Sequence, residues 1–580
     1  MFNKQELEEI EKRRKYWEEV TLNGVLKRFG ITKSPSKFYT PLNVKDHDFL
    51  EKVGFPGEFP YTAGVYPVNP PMDVIAPGGM GTSGGLVRAG QYSGYGTVED
   101  TRDFYKAMQD RGWTGGPNIA FDLPTQCGYD SDNPVVQGEV GRVGVAVDTL
   151  QDFEVIYEAF TNSRNLDKIA SNWTINPTAN IILAMYIALA QKRGIPLDKL
   201  RGTPQNDILK EILSRGTQIF SVRPSMRMTR DTIVYCTENM PKMNTVSMSG
   251  YHMREAGASL TQSLAFNLCN AIAYVQLGID AGLDIDSFAP RLTFLGFGGS
   301  LEMLKEIALQ RAARRMWANI MKERFRAKKP RSYLMRFSFA SSGNISTTAQ
   351  RPLNNLTRSV VGGIASALSG GIPYVFPPYD EPLGLGWSLE AQQLSEDANR
   401  ILHHETDLCG VIDPFAGSYY MEALTDQIEE GAWEIIKKVD ELGGAMAAIE
   451  RGWMQNEIAK SAYEYQHQVE TGQKVIVGVN RYTGENELEV TTTRLVPNPY
   501  DPEKRARAEE KQIAKLTKVK KERDNQQVEA TLRRLKDTAK DESVNMILPI
   551  LEAVKAYASV GEICDTLRDV FGEYHEYVNI

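Results

Sequence analysis

Six histidines occur in the 580-residue chain, and one of them stands where a polar side chain can act on a substrate. His252 closes the run Thr245-Val-Ser-Met-Ser-Gly-Tyr-His, whose alternating small and apolar residues read as a strand that ends near Gly250. An imidazole just past a strand of an α/β barrel can donate a hydrogen bond to a carbonyl oxygen and steady charge or spin developing there. The same pattern also suits a satisfied structural histidine. His403 and His404 fall in a helical pattern, and His47, His467 and His575 have no polar cluster beside them, so these five read as structural or surface residues. Arg215 follows the helical pattern that ends at Ser214 and precedes Gly216. Its guanidinium can clamp a carboxylate bidentately, or serve as the cation at a helix C-terminus. The Gly-rich run Pro77–Gly85 has the composition of a phosphate-cradling loop. It lacks G-x-x-x-x-G-K-[ST] and a strand-to-helix frame, and no G-x-S-x-G, H-E-x-x-H or EF-hand loop occurs.

These residues need a frame. Gln5 to Phe29 reads as an amphipathic helix, followed by a Gly-, Pro- and Tyr-rich arm to Tyr66. Strands are expected at Asn118–Leu123, Ile169–Ile175, Thr245–Ser249, Arg291–Phe297, Tyr333–Phe339 and Tyr374–Phe376. Helical patterns fall between them at Asp148–Asn162, Ile181–Lys192, Gln205–Ser214, Ser259–Gly278, Ser300–Phe325 and Asn354–Leu368. Strand-then-helix repetition predicts a parallel α/β sheet and is compatible with a (β/α)8 TIM barrel, where working residues sit at strand C-termini. The expected organisation is an N-terminal helix and arm over residues 1–66, a barrel over 67–425 and a helical C-terminal extension over 426–580. Glu503–Lys540 is a charge-rich helical run that reads first as a solvated helix laced with ion pairs, second as a docking surface.

Composition excludes several function classes. A net charge of −8 gives no electrostatic reason to expect nucleic acid or an anionic membrane as partner. The five cysteines are scattered without a C-x-x-C pair, which argues against a disulfide framework or zinc site and fits a reducing cytoplasm. The charged N-terminus carries no apolar signal region, and the apolar stretch Ile181–Ala190 is too short to span a bilayer, so it reads as a buried helix.

Longer stretches carry a family resemblance. Ala120–Pro134 (AFDLPTQCGYDSDNP), Gly202–Glu211 (GTPQNDILKE), Ser249–Ala258 (SGYHMREAGA), Asp286–Phe294 (DSFAPRLTF) and Val411–Leu424 (VIDPFAGSYYMEAL) resemble the methylmalonyl-CoA mutase family. So do Gly138–Leu150, Pro224–Arg227 and Ile476–Tyr482, in family order and spacing. The resemblance implies a (β/α)8 barrel threaded by an acyl-CoA and an adenosylcobalamin-dependent radical rearrangement of the carbon skeleton, an isomerase reaction. It implies Tyr92 and His252 as catalytic residues, with His252 also near the cobalamin, and Glu381 and Ala340 on the cofactor side. Gln205, Arg215, Thr174, Thr203, Asn244, Arg291 and a shifted Arg88 correspond to substrate- and CoA-binding positions. Arg215 matches the arginine that binds a free carboxylate, and Ala120 matches the methylmalonyl pattern rather than the aspartate of a hydroxyacyl-CoA mutase. The family's cobalt-ligating D-x-H-x-x-G does not occur here, which implies a separate small cobalamin-binding subunit, in a heterotetramer or other heteromer.

The chain departs from the family in two places. A Gly/Pro-rich stretch lengthens the segment between Tyr66 and Tyr92, and Pro373–Pro377 replaces a polar segment, with Ala340 where a glutamine is expected. Fewer polar partners suit a bulkier apolar acyl group. The expected substrate is therefore a dicarboxylic acyl-CoA of an alkyl- or aryl-substituted malonyl-CoA/succinyl-CoA pair. Methylmalonyl-CoA itself, a monocarboxylic acyl-CoA of the isobutyryl or 2-hydroxyisobutyryl type, and a non-catalytic scaffold are the alternatives.

Overall fold

Strands here alternate between two environments, and that alternation sets the architecture. The computed structural model describes residues 3–29, 32, 39–45, 47–67, 94, 96–110, 115–297, 301–337, 340–341, 346–370, 374–383, 389–408, 410–484 and 502–575. Strands β1 (Asn118–Ala120), β2 (Ala170–Thr174) and β3 (Arg201–Pro204) form one sheet, β4 (Val246–Ser249) and β5 (Leu292–Leu295) a second, and β6 (Ala340–Ser341) and β7 (Tyr374–Val375) a third. Every pairing between these strands is parallel. Single parallel bridges, Gly202 to Met243 and Phe294 to Phe337, continue the order from one sheet to the next. Helices follow the strands, as parallel connections require.

Ile119, Phe121, Trp173 and Ile175 point outward into one apolar core, while Val246, Met248, Leu292 and Phe294 point into a second. The intervening residues Asn118, Ala120, Asn172, Thr174, Thr203, Gln205, Ser247 and Ser249 share the opposite face. In register, Asn118 lies beside Asn172 and Asn172 beside Thr203, while Ala120 lies beside Thr174. The helix Ala179–Lys192, buried from Ala179 to Ala190, packs between this layer and the helix Ile547–Lys555. That answers the short apolar stretch in the sequence, and no described helix is long and apolar enough to cross a membrane.

Several expectations need correction. The α/β expectation holds in its coarser form: the described residues show short parallel sheets with many helices, and no pairing among them joins β7 back to β1. β3 was not expected, because Arg201-Gly-Thr-Pro is poor in strand-forming residues. It forms because Gly202 brings the backbones close: a Cβ there would lie 2.0 Å from the carbonyl oxygen of Ser171. The strand expected over Tyr333–Phe339 begins instead with a helical turn, Pro330–Tyr333, and only Phe337 bridges to β5. Proline at the first helical position favours that turn, and the Tyr333 hydroxyl donates to the Ala327 carbonyl at 2.7 Å.

The charge-rich C-terminal run is not a solvated helix. It forms the helices Pro502–Glu522 and Asn525–Ala539, which bury Leu516, Val519, Val528 and Leu535. Its cations reach across the chain: Lys515 pairs with Glu99 at 2.7 Å, Lys520 with Asp130 at 3.0 Å, and Arg523 with Glu562 at 2.5 Å. His47 also departs from expectation, since folding brings Glu422, Asp426, Arg315 and Lys52 around it.

The helix Met303–Asn319 gathers distant segments through three buried arginines. Arg311 donates to Asp413 at 3.1 Å and Glu422 at 2.6 Å. Arg314 donates to the carbonyls of Tyr61, Thr62 and Ser369, and Arg315 pairs with Asp426 and Glu429. Replacing Arg311 by Met leaves two buried carboxylates without their counter-ion, a loss of roughly 3–5 kcal/mol. Urea unfolding followed by circular dichroism should therefore show the Arg311→Met transition moved to clearly lower denaturant; an unmoved transition would contradict this role.

Candidate active site

A buried carboxylate organises the ends of β2 and β3. The helix Ile208–Ser214 is apolar at Ile208, Leu209, Ile212 and Leu213, yet carries the adjacent charges Lys210 and Glu211, both fully buried. Glu211 Oε1 accepts from Asn176 Nδ2 at 2.6 Å and from Lys210 Nζ, and lies 3.5 Å from Arg215 NH1. Its second oxygen accepts from the Thr217 hydroxyl. Asn176 Nδ2 and Lys210 Nζ also donate to Gln205 Oε1, at 3.0 and 3.3 Å. Lys210, Arg215, and hydrogen bonds from Lys210 and Thr217 together hold the Glu211 carboxyl below its ordinary value against the opposing effect of burial. A buried ion pair stripped of one partner is strongly destabilising, so this cluster fixes Gln205 and Arg215 as a unit.

Arg215 is the C-cap residue of that helix, its N–H donating to the Glu211 carbonyl, and its side chain keeps 28% of its exposure. The helix-terminal reading of Arg215 is thus observed, and its guanidinium keeps part of its surface accessible.

Asn206, at φ 52°, adopts the left-handed region between Gln205 and Asp207. Its Nδ2 donates to the Thr245 carbonyl at 3.1 Å, which links β3 to the start of β4. The bend lets Asp207 reach the end of β4, where Oδ2 accepts from the Ser249 N–H at 2.8 Å, and Oδ1 accepts from the Tyr274 hydroxyl at 2.8 Å. His252 sits three residues on, in the first turn of the helix Tyr251–Glu255, with Nδ1 2.7 Å from Ser249 Oγ. Burial, with Lys210 and Arg215 nearby, pushes the His252 imidazolium well below its ordinary pKa, so the ring is neutral. A neutral imidazole can donate to a carbonyl without adding charge to the site.

A second group lies at the opposite end of the strands. Asn244 Nδ2 donates to Thr203 Oγ1 at 2.8 Å and Asn244 Oδ1 accepts from Arg336 at 3.0 Å. Arg336 is pushed down to about 10 by burial and by the positive charges of Arg291 and Arg331. Three clustered guanidiniums at the strand entrances suit an anion such as a phosphate. Thr174 and Thr203 lie half-buried on the polar face, Thr174 at the C-terminal end of β2 and Thr203 nearer Asn244.

Comparison with known proteins places this arrangement. A family model described as methylmalonyl-CoA mutase matches residues 32–573. The chain belongs to the methylmalonyl-CoA mutase family. Over 577 residues it is 38% identical to the 2-hydroxyisobutanoyl-CoA mutase large subunit of Aquincola tertiaricarbonis, covering 98% of each chain. It is 39% identical over 535 residues to the probable mitochondrial methylmalonyl-CoA mutase of Caenorhabditis elegans, covering 92% of this chain and 68% of that one. It is 39% identical over 484 residues to the methylmalonyl-CoA mutase of Escherichia coli strain K12, covering 83% and 65% respectively. The chain thus spans about two-thirds of the length of those two methylmalonyl-CoA mutases. Family membership makes it an acyl-CoA mutase, an enzyme of the isomerase class, in a family that depends on cobalamin.

In this mutase-family chain the residues expected at the site separate by location. Gln205, Arg215 and His252 gather at the strand C-termini, and Thr203, Asn244 and Arg291 at or toward the entrances. Ala340 is placed by its backbone on β6, in register with Tyr374. Tyr92, Arg88, the Pro77–Arg88 stretch and Pro373 lie outside the described residues. Within the Pro373–Pro377 segment, Phe376 packs against Phe337, Val360, Ala398 and Leu402. Lys210, Glu211, Asn176, Asp207, Ser249 and Arg336 were not anticipated. The one signal for the first two was a charged pair set inside an apolar helical run.

Glu381 opens the short helical turn Glu381–Leu383. Burial, aided by Glu255 and Asp380, raises its carboxyl to about 7, so it can accept from or donate to hydroxyls near neutrality. Among the described residues no group of three His, Cys, Asp or Glu side chains is placed to hold a metal ion. Because its folded pKa is raised above the ordinary 4.5, the contribution of Glu381 to stability is complete below that value and is lost as pH rises through about 7. Glu381→Gln should gain melting temperature relative to the parent chain as pH is taken from acid to neutral; parallel curves across that range would refute the shift.

Proposed function

We propose that the chain is the acyl-CoA-binding large subunit of an adenosylcobalamin-dependent mutase that rearranges a dicarboxylic acyl-CoA, of the substituted malonyl-CoA/succinyl-CoA class. The observation that carries this reading is Arg215: a partly exposed guanidinium, held at the strand ends by a buried carboxylate, beside Gln205 and within electrostatic reach of neutral His252. A cation so placed fits the free carboxylate of a diacid, and Ala120, half-buried on the same face, adds no acidic group. The small side chain of Ala120 leaves room for a substituent on the acyl group, and Ala340 belongs to the same proposal through its family position.

In this reading the strands close into a (β/α)8 barrel. The CoA phosphates rest on Arg291 and Arg336, and the pantetheine passes Asn244, Thr203 and Thr174 along the polar face. Gln205 and Arg215 hold the acyl end, and His252 donates a hydrogen bond to the thioester carbonyl. Tyr92 and Arg88 belong to the same proposal through their family positions. The bound cofactor supplies the radical that removes and returns a substrate hydrogen. The chain's own part is to bind, orient and exclude water: Gln205 is immobilised by Asn176 and Lys210, and Arg215 by Glu211. His252 and Glu381 face the cofactor side. A small cobalamin-binding subunit supplies the cobalt ligand, a proposal supported by the end-to-end match with a relative named as a large subunit.

That same match favours a second reading, a 2-hydroxyisobutyryl-type monocarboxylic mutase. Turnover by the chain together with its cobalamin-binding subunit and adenosylcobalamin separates the two. The expected order places alkyl- or benzylsuccinyl-CoA ahead of succinyl-CoA, with isobutyryl- and 2-hydroxyisobutyryl-CoA poor substrates. Arg215→Gln should cost about 100-fold in kcat/KM on the diacid esters and little on the monoacid esters. Preferred turnover of 2-hydroxyisobutyryl-CoA by the parent enzyme would overturn the diacid reading.

A further inference from the structure

We propose that Ser249 is a positioning residue for His252: its hydroxyl donates to Nδ1 and so holds the imidazole in the tautomer whose N–H is on Nε2. The inference rests on the His252 role proposed above only for its kinetic consequence; the tautomer is inferred from the contacts of Ser249 and read directly by the experiment below.

Ser249 Oγ lies 2.7 Å from His252 Nδ1 and 3.4 Å from the Leu295 carbonyl. A hydroxyl has one proton to give, and in this proposal it goes to Nδ1, the shorter contact, rather than to the Leu295 carbonyl, which would let Nδ1–H donate to the serine instead. A neutral ring whose Nδ1 accepts must carry its proton on Nε2, which is then the ring's only donor. The opposite tautomer would present a lone pair at Nε2, and a carbonyl oxygen meeting it would be repelled rather than stabilised.

The serine itself has little freedom. It is fully buried, and its backbone N–H is fixed by Asp207 Oδ2 at 2.8 Å. Asp207 is anchored in turn by Tyr274, whose oxygen accepts the Leu209 N–H at 2.9 Å. The path from Ser249 to the ring is equally tight. Gly250 abuts Phe297, where a Cβ would lie 2.4 Å from the ring, and the Tyr251 ring centroid is 3.8 Å from that of His252. Helices Ile208–Ser214 and Leu260–Asp280 thus set the serine, and the serine sets the proton on the histidine.

The test uses the full chain with its partner subunit, labelled with 15N-histidine, and solid-state 15N NMR of the ring nitrogens. A His252→Gln spectrum identifies the His252 signals among those of the six histidines. The expected wild-type spectrum has a protonated Nε2 and a bare, hydrogen-bonded Nδ1. Ser249→Ala should convert this to the other tautomer or a mixture, and lower kcat about 10- to 100-fold while KM stays within about threefold. Ser249→Thr, which keeps the hydroxyl, should restore both spectrum and rate. A protonated Nδ1 in the wild type, or a Ser249→Ala spectrum identical to it, would overturn the proposal. If the wild type turned over no diacid ester, the substrate reading would fail while the nitrogen shifts still decided the tautomer.

Discussion

The side-chain period of two in the strands is the constraint on which the rest of the molecule depends. One set, Ile119, Trp173, Ile175, Val246, Met248 and Phe294, is committed to the helices and carries the hydrophobic stabilisation. The alternate set, Asn118, Asn172, Thr174, Thr203, Gln205, Ser247 and Ser249, is thereby free of packing duty and can be small and polar. A sheet buried on both faces would ordinarily read as near-continuous apolar runs. Here the runs are interrupted at every second residue, which is the mark of an interior built to meet a polar guest.

Buried charge is the second theme, and it is used in two different ways. Along Met303–Asn319, Arg311, Arg314 and Arg315 meet carboxylates and carbonyls from the N-terminal arm and from the helix Tyr419–Glu441 and the residues before it. Those groups are nearly all internal to the chain, so the network fixes the relative placement of segments far apart in sequence. At Glu211 the arrangement differs. Two cations, Lys210 and Arg215, converge on one carboxylate, and one of the cations keeps part of its surface open. The first network closes on itself. The second is left with a cation facing outward.

Much of this was legible in the sequence, for identifiable reasons. β1, β2, β4 and β5 were expected within a few residues of where they lie, because clear alternation or apolar runs bounded by breakers carried them. His252 and Arg215 stood out because each followed a recognisable element. β3 escaped because Gly202 and Pro204 argue locally against a strand, and only the close approach to Ser171 rescues it. Glu211, Asn176 and Ser249 escaped for another reason. Asn176 meets Glu211 across 35 residues and Gln205 across 29, and Ser249, though it touches His252 three residues on, is held by Asp207 from 42 residues away, so no local pattern encodes these meetings. Phe376, just past β7, packs against Phe337 and the helix residues Val360, Ala398 and Leu402, a placement that the apolar character of Pro373–Pro377 alone did not specify.

The coupling between Arg215 and His252 follows from that placement. Each added positive charge near a buried imidazole disfavours its protonated form, and both Lys210 and Arg215 act on His252 in that direction. In the proposed reading, the cluster that would offer a cation to a substrate carboxylate therefore also keeps the histidine neutral, and so fit to donate a hydrogen bond without a full charge. A diacid arriving at Arg215 would weaken that electrostatic push by bringing its own negative charge. Burial of His252 does not depend on the substrate and goes on favouring the neutral ring. In the proposed reading, recognition at the carboxylate end and donor chemistry at the thioester end would both be set by one helix, Ile208–Ser214, and would share a site without opposing each other.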